Sequence, residues 1–163
     1  MDVVHASPVL VVADVTRLSF EELYRSHYVR MVRVAWLMVG SAAAAEDIVQ
    51  EVFVKMAQRY DSIDSPPAYL RVAVVNTCRN ELRRTRRFSP APLPEGVVHD
   101  SELAETFELL RDLDPKHRAA LVLRYVDDCS DDEIASILGI RRATVRSHIH
   151  RGLTKLREAD RDQ

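Results

Sequence analysis

The sequence predicts an all-α protein built as two small helical domains, and three observations carry that prediction. Apolar residues recur at helical spacing over most of the chain, and no stretch alternates with the two-residue period of a strand. Two segments open on paired capping residues, Ser19 with Glu22 and Ser130 with Glu133. Between the helical stretches lies FSPAPLPEG, Phe88 to Gly96, whose three prolines rule out a continuous helix. That break reads as a flexible Pro-rich linker running on to about His99.

The first segment, Met1 to Arg17, holds an apolar run from Val9 to Val12. No basic stretch precedes it and Asp14 interrupts it, which argues against a signal peptide; it is also too short to cross a bilayer. A floppy arm and a docking segment are both open. From Phe20 to Val39 the chain is strongly apolar (Phe20, Leu23, Tyr24, Met31, Val32, Ala35, Trp36, Val39), and Gly40 ends the helix. Trp36 reads as core rather than as a stacking platform. After Ser41 a second helix places Ile48, Val49, Val52, Phe53, Met56, Ala57 and Tyr60 on one stripe. Glu46, Asp47, Gln50, Glu51 and Lys55 occupy the other face, which alone indicates only solvation.

The break Asp61 to Pro67, DSIDSPP, offers Ser65 as a cap and Pro66 as the first helical residue. The helix from Ala68 to about Arg87 begins apolar and ends basic, at Arg79, Arg83, Arg84, Arg86 and Arg87. Asn76, at its middle, reads from its type alone as a group that satisfies buried backbone. Three such helices can share one core. Past the proline run, Ser101 to Leu113 is expected to be helical, and Asp114 with Pro115 starts another helix through Tyr125. There Leu121, Val122 and Tyr125 are expected to pack on the C-terminal helices.

Those C-terminal helices occupy Ser130 to Leu156 and are broken at Gly139. Ile134, Ala135, Ile137 and Leu138 make an apolar stripe of about two turns. A glycine then supplies the left-handed position that ends such a helix, and Val145, Ile149, Leu153 and Leu156 continue at helical spacing. This is the pattern of a helix-turn-helix. Its second helix carries Arg141, Arg142, Arg146, Arg151, Lys155 and Arg157, with no acidic residue from Arg141 to Arg157. Such a face suits phosphates, and arginine can grip a guanine edge with two hydrogen bonds. A solvated basic hairpin is the bland alternative.

Length and charge fit this picture. A chain of 163 residues suits one domain or two small ones. The formal charge of −2 hides basic blocks at Arg79 to Arg87 and Arg141 to Arg157, and an acidic one at Asp127 to Glu133. A nucleic-acid binder can stay near neutral if its positive charge is confined to contacting faces. Cys78 and Cys129 lack CxxC spacing, which implies neither zinc nor a disulfide framework. His148 and His150 are two apart on a helix and point to different faces, so no metal site is expected there.

Three stretches together carry a resemblance. AEDIVQEVF, then AYLRVAVVNTCRNELRR, then LDPKHRAALVLRYVDDCSDDEIASILGIRRATVRSHIHRGLTKLR resemble extracytoplasmic-function sigma factors of bacterial RNA polymerase. These are minimal sigma-70 members that keep only regions 2 and 4, here of the SigE-like actinobacterial type. The match covers about Phe20 to Arg157. It implies an N-terminal arm (1–18), region 2 (19–87), a linker (88–100) and region 4 (101–163).

The resemblance also implies roles. Glu46, Asp47, Gln50 and Glu51 would face the clamp helices of core polymerase. Ser62, Ile63 and Asp64 would belong to the loop that reads the minus-10 element, with Asn76 in a pocket for a flipped base. Arg79, Arg83 and Arg84 would follow the phosphates of that strand. Arg142, Thr144, Arg146, Ser147, His150 and Arg151 would meet the minus-35 duplex. The implied partners are core RNA polymerase, promoter DNA and an anti-sigma factor, with no membrane, no cofactor, no metal and no catalytic residue; the implied location is the cytoplasm. The chain departs from many relatives in having Ala143 where they have Gly, and Arg141 and Arg142 where they have a capping residue. It also lacks the aromatic pair with which housekeeping factors invade duplex DNA.

Two other classes stand beside this one. A helix-turn-helix regulator with a helical sensing domain would not bind core polymerase in the absence of DNA. A helical metalloenzyme would need motifs such as Glu-x-x-His on facing helices, and the sequence has none.

Overall fold

A computed structural model describes residues 17–85 and 101–161. The expected arm before Arg17, the basic residues Arg86 and Arg87, and the linker segment lie outside the described residues. Seven α-helices make up the described part: α1 (Phe20–Val39), α2 (Ala42–Ala57), α3 (Pro66–Thr85), α4 (Ser101–Leu110), α5 (Pro115–Tyr125), α6 (Asp131–Leu138) and α7 (Arg142–Arg161). No strand occurs among the described residues, and no helix there is long and apolar enough to cross a membrane.

The capping chemistry works as the sequence predicts. Ser19 accepts from the Glu22 backbone N–H, while the Glu22 carboxylate accepts from the Ser19 N–H at 2.8 Å. Ser130 and Glu133 repeat the exchange at the start of α6, at 3.2 and 2.7 Å. Each reciprocal pair satisfies two helix-end donors. Gly40 (φ 74°) and Gly139 (φ 65°) adopt the left-handed conformation that ends α1 and α6.

Helices α1, α2 and α3 pack mutually around Leu23, Met31, Val49, Met56, Leu70 and Val74, all nearly or fully buried. Phe20, Tyr24, Phe53 and Tyr60 form an edge-to-face cluster at one end, with ring centroids 5.0–5.9 Å apart. In the second unit, α7 lies across α5 and α6. Gly152 permits the close approach, since a Cβ there would sit 2.8 Å from Leu121 Cδ1. Its role is invisible to periodicity, which reads only the apolar stripe beside it.

Four local expectations differ from the structure. Helix α2 stops at Ala57, which is exposed, and Tyr60 sits on the short 3-10 turn Tyr60–Ser62. Helix α4 ends at Leu110 rather than Leu113. Arg118 donates to the carbonyls of Arg111 and Leu113 there, holding the chain in a turn. Tyr125 is 61% exposed and does not pack on the helix-turn-helix. Val34, Leu37 and Met38 are buried although they were not among the apolar residues singled out in α1.

That last difference has a single cause: the two units are packed together. Helix α1 touches α4 and α5, and α3 touches α6. The far end of α1 is therefore covered on both sides, as a helix apolar all round must be. Trp36 is buried against Phe107 at 5.0 Å between ring centroids, so its reading as core holds, in a core that spans both units.

At Gly40 the backbone and the packing make separate demands. A Cβ there would lie 2.6 Å from Phe107 Cζ, whereas at Gly139 nothing lies within 4 Å. Gly139→Ala should cost only the left-handed strain of about 1–2 kcal/mol. Gly40→Ala should cost more, because it also pushes Phe107 from its seat. Chemical denaturation of both variants checks this, and equal losses would show that Phe107 yields freely.

Candidate nucleic-acid and protein interfaces

Helix α2 has two unlike faces. Ala45, Ile48, Val49, Val52, Phe53 and Met56 face the core, while Glu46, Asp47, Gln50 and Glu51 are exposed. Gln50 reaches the Tyr28 hydroxyl at 3.4 Å, and Lys55 pairs with Glu51 at 2.5 Å. Val54 belongs on this face too: it is 61% exposed, four residues after Gln50 and seven after Asp47. The sequence reading missed it because apolar residues on α2 were taken as core; helical spacing from Asp47 would have found it.

The loop after α2 is tethered to the residues just before α1. The Tyr60 hydroxyl donates to the Leu18 carbonyl at 2.7 Å, and the Arg17 guanidinium lies 5.1 Å from the Tyr60 ring and donates to its carbonyl. Ser62 and Asp64 are exposed. Ile63, grouped with them as a DNA-reading residue, is 5% exposed and anchors the loop in the core. An apolar side chain between two polar ones on a tight turn points inward, so it cannot meet a base in this conformation.

Along α3, Asn76, Arg79, Arg83 and Arg84 are exposed. Asn76 therefore does not serve buried backbone, contrary to the reading from its type alone. Arg84 pairs with Glu81 at 2.8 Å, Arg83 with the Asn80 amide oxygen, and Arg79 donates to the Leu138 carbonyl of α6 at 3.3 Å.

Helix α7 presents Arg142, Arg146, His150 and Arg151 as exposed side chains, with Thr144 and Ser147 half-buried. Val145, fully buried, sets this rotation. No side-chain cap opens the helix; the Arg141 carbonyl accepts from Thr144 and Val145 instead. Arg146 Nε donates to Asp131 Oδ2 at 2.9 Å, and Arg142 approaches Asp131 and Asp132 at 3.8 and 3.5 Å. Arg124 also pairs with Asp131, which therefore orients two helices at once. The acidic run gave no hint of this role, which depends on how α6 crosses α7.

His148 turns the other way, facing His117 of α5 with ring centroids 5.2 Å apart. Burial holds both imidazoles below their usual pKa. His117 adds to the effect on His148, as do Lys116 and Arg151; for His117 the nearby cations Lys116, Arg151 and Lys155 act alike, against the favourable Asp114. His27 in the first unit is shifted down in the same sense, by burial and then by Arg71. The two thiols are buried and inert, with Cys78 and Cys129 both pushed up to about 12, chiefly by burial.

The geometry defines a two-part helical protein with a basic helix-turn-helix in its second part. Residues 23–88 match the family description "Sigma-70 region 2" and residues 104–156 match "Sigma-70, region 4". The chain is 36% identical to the RNA polymerase sigma-E factor of Streptomyces avermitilis, over 86% of this chain and 84% of that one. It is 33% identical to the SigE factor of Mycolicibacterium smegmatis, over 86% of this chain and 61% of that one. The solved structure of CnrH in complex with the cytosolic domain of CnrY superposes with a TM-score of 0.69 at 27% identity, covering 88% and 89% of the two chains. The sigma factor RpoE of Bartonella quintana, solved with NepR, shares the fold at a TM-score of 0.64 and 20% identity, over 85% of this chain and 96% of that one. The chain belongs to the sigma-70 family, as an extracytoplasmic-function RNA polymerase sigma factor. A regulator with a sensing domain is not favoured, since both parts match sigma regions in order.

The histidines yield a pH dependence. A histidine whose folded pKa lies below its free value stabilises the fold above pH 6.5, and that contribution is lost as pH falls through the lowered folded value. The melting midpoint should therefore fall between pH 7.5 and 5.5. His117→Gln with His148→Gln should flatten the decline, leaving the part due to His27. Calorimetry across that range checks the sign.

Proposed function

We propose that the exposed face of α2, with Asp47, Gln50 and Val54 at its centre, docks on core polymerase alongside Glu46 and Glu51. The loop around Ser62 and Asp64 then reads the minus-10 strand, with Asn76 contacting an extruded base. Its amide can both donate and accept, as a Watson–Crick edge requires. Arg79, Arg83 and Arg84 track the phosphates. In region 4, α7 enters the minus-35 major groove N-terminus first, as recognition helices do. The observation that carries this reading is the pairing of buried and free faces: α2 and α7 each spend one face on the core and leave the other exposed.

On this reading the protein contributes recognition and no catalysis; the bond-forming chemistry belongs to the core enzyme, in the cytoplasm. An anti-sigma factor is a further proposed partner, in view of the CnrH–CnrY complex.

Arg146 and Arg151 take different roles. Arg146 donates to Asp131 at the start of α6, while Arg151, five residues and about a turn and a half further on, falls on a different side of α7. The Asp131 contact uses Arg146 Nε and leaves its two terminal nitrogens for a base edge. Arg146→Ala should lose about 1–3 kcal/mol on the right minus-35 sequence and little on a scrambled one. Arg151→Ala should weaken both alike and lower the salt slope by about one unit. Titrations of the full chain on both duplexes at several salt concentrations distinguish these outcomes.

Asp47→Ala with Gln50→Ala should weaken binding to core polymerase and move stability by no more than about 0.5 kcal/mol, because neither side chain is buried. A pull-down with core enzyme, paired with a thermal melt, tests it. A double variant that binds as well as its parent would remove α2 from the interface.

A further inference from the structure

We infer that the cavity where α3 meets the second unit is a binding site for a small phosphorylated ligand with an apolar body, of nucleotide size. The cavity measures about 450 Å³, within the range of roughly 300–1,000 Å³ over which proteins hold small molecules. Its lining comes from α3, α5, α6 and α7 and combines two kinds of surface.

The first is cationic. Arg79 and Arg83 of α3 and Lys116 of α5 bring three permanent positive charges to one cavity. The partners the structure gives the two arginines are neutral: Arg79 donates to the Leu138 carbonyl at 3.3 Å, and Arg83 to the Asn80 amide oxygen. Such an oxygen satisfies one N–H of a guanidinium and leaves its charge unneutralised. Asp114 is the acidic residue of the lining, and it is already engaged. One of its oxygens accepts from the Lys116 backbone N–H at 3.0 Å as the cap of α5, and the other lies 3.8 Å from Lys116 Nζ. The start of α5 adds the positive end of a helix dipole to the same wall. Like charges gathered in one concavity raise the local potential and favour an anion.

His148 adds an uncharged polar group. It lines the cavity, and its Nδ1 is buried with no hydrogen-bond partner among the described residues. Burial, then His117, Lys116 and Arg151, lower its pKa against the pull of Asp114, so the ring is neutral at pH 7. An unpaired buried nitrogen is the kind of group that a ligand oxygen or hydroxyl satisfies.

The second surface is apolar. Leu82, Leu138 and Ile140 contribute it together with Ala119, and Leu138 and Ala119 are themselves buried. The two surfaces select the ligand class. A single carboxylate would answer one of three cations, whereas a diphosphate answers all of them, and its oxygens match the arginine fork. Inorganic phosphate would leave the apolar lining uncovered; a nucleobase or a similar flat ring would cover it. This goes beyond the strand-tracking role proposed for Arg79 and Arg83, since it employs them with Lys116 and His148, which that role does not include.

The test is calorimetric titration of the full chain with ADP, pyrophosphate and adenosine, without DNA, polymerase or divalent metal and at matched ionic strength. ADP should bind, with pyrophosphate roughly tenfold weaker for want of the apolar contact, and adenosine weaker than either. Lys116→Glu and Arg83→Glu, both at exposed side chains, should each weaken ADP by about tenfold or more. Arg25→Glu changes the net charge equally at an exposed site on α1 and should leave ADP binding within about twofold. No ADP binding up to about 1 mM, pyrophosphate as tight as ADP, or an equal loss in Arg25→Glu and the cavity variants would overturn the inference. If a charge reversal lowers helicity, Lys116→Gln decides in its place: a loss of about threefold supports the site, and no loss rejects it. With no DNA present, these outcomes stand apart from the minus-10 reading.

Discussion

A carboxylate withdrawn from water needs charge and hydrogen bonds to replace its hydration; at Asp127 the charge comes from arginines of the other half of the molecule, and the Cys129 thiol adds a local hydrogen bond. The rest of the tertiary arrangement depends on that requirement. Arg71 and Arg30 can meet Asp127 only if α5 and α6 lie against α1 and α3, which brings Phe107 onto Trp36 and Arg118 onto the Met38 carbonyl. The apolar surfaces of Val34, Leu37 and Met38 are buried as a result. A minimal two-domain protein is left with one continuous core in place of two separate ones.

The same acidic stretch serves three ends within seven residues. Asp127 clamps the domains, Asp131 ties α5 and α6 to the recognition helix, and Glu133 closes the capping box of α6. This explains how a chain of net charge −2 carries a strongly basic face on α7. Five of its 25 acidic residues lie in this run, where Asp127 and Asp131 hold arginines in specific places. Removing one acid of this run therefore changes a specific contact more than it changes the overall field.

Much of the candidate site was legible because solvated faces and capping signals are local properties. Glu46, Asp47, Gln50 and Glu51 are exposed, as their place opposite the apolar stripe implies, and α6 and α7 turn at Gly139 as a glycine between two helical patterns should. Errors arose where a distant part of the chain decides burial. Ile63 is drawn inward by the core, Tyr125 is left outside it, and Val54 stands exposed among carboxylates. Residue type alone reports none of these, since an apolar side chain reads as core wherever it falls. Asn76 erred in the opposite sense: a polar residue amid apolar neighbours reads as buried, yet the rotation of α3 leaves it in solvent.

The sequence by itself determined the helices, their caps, the helix-turn-helix and the sigma-70 family, because each is written in periodicities and motifs spanning fewer than about twenty residues. It determined also that basic charge gathers on α3 and α7. Only the tertiary structure decided that the two domains close on each other and that Asp127, not its acidic neighbours, joins them. It decided likewise that Arg146 of α7 pairs with Asp131 of α6. The reason is physical: a salt bridge between residues 56 positions apart leaves no periodic trace, and its partners are chosen by how packed helices cross.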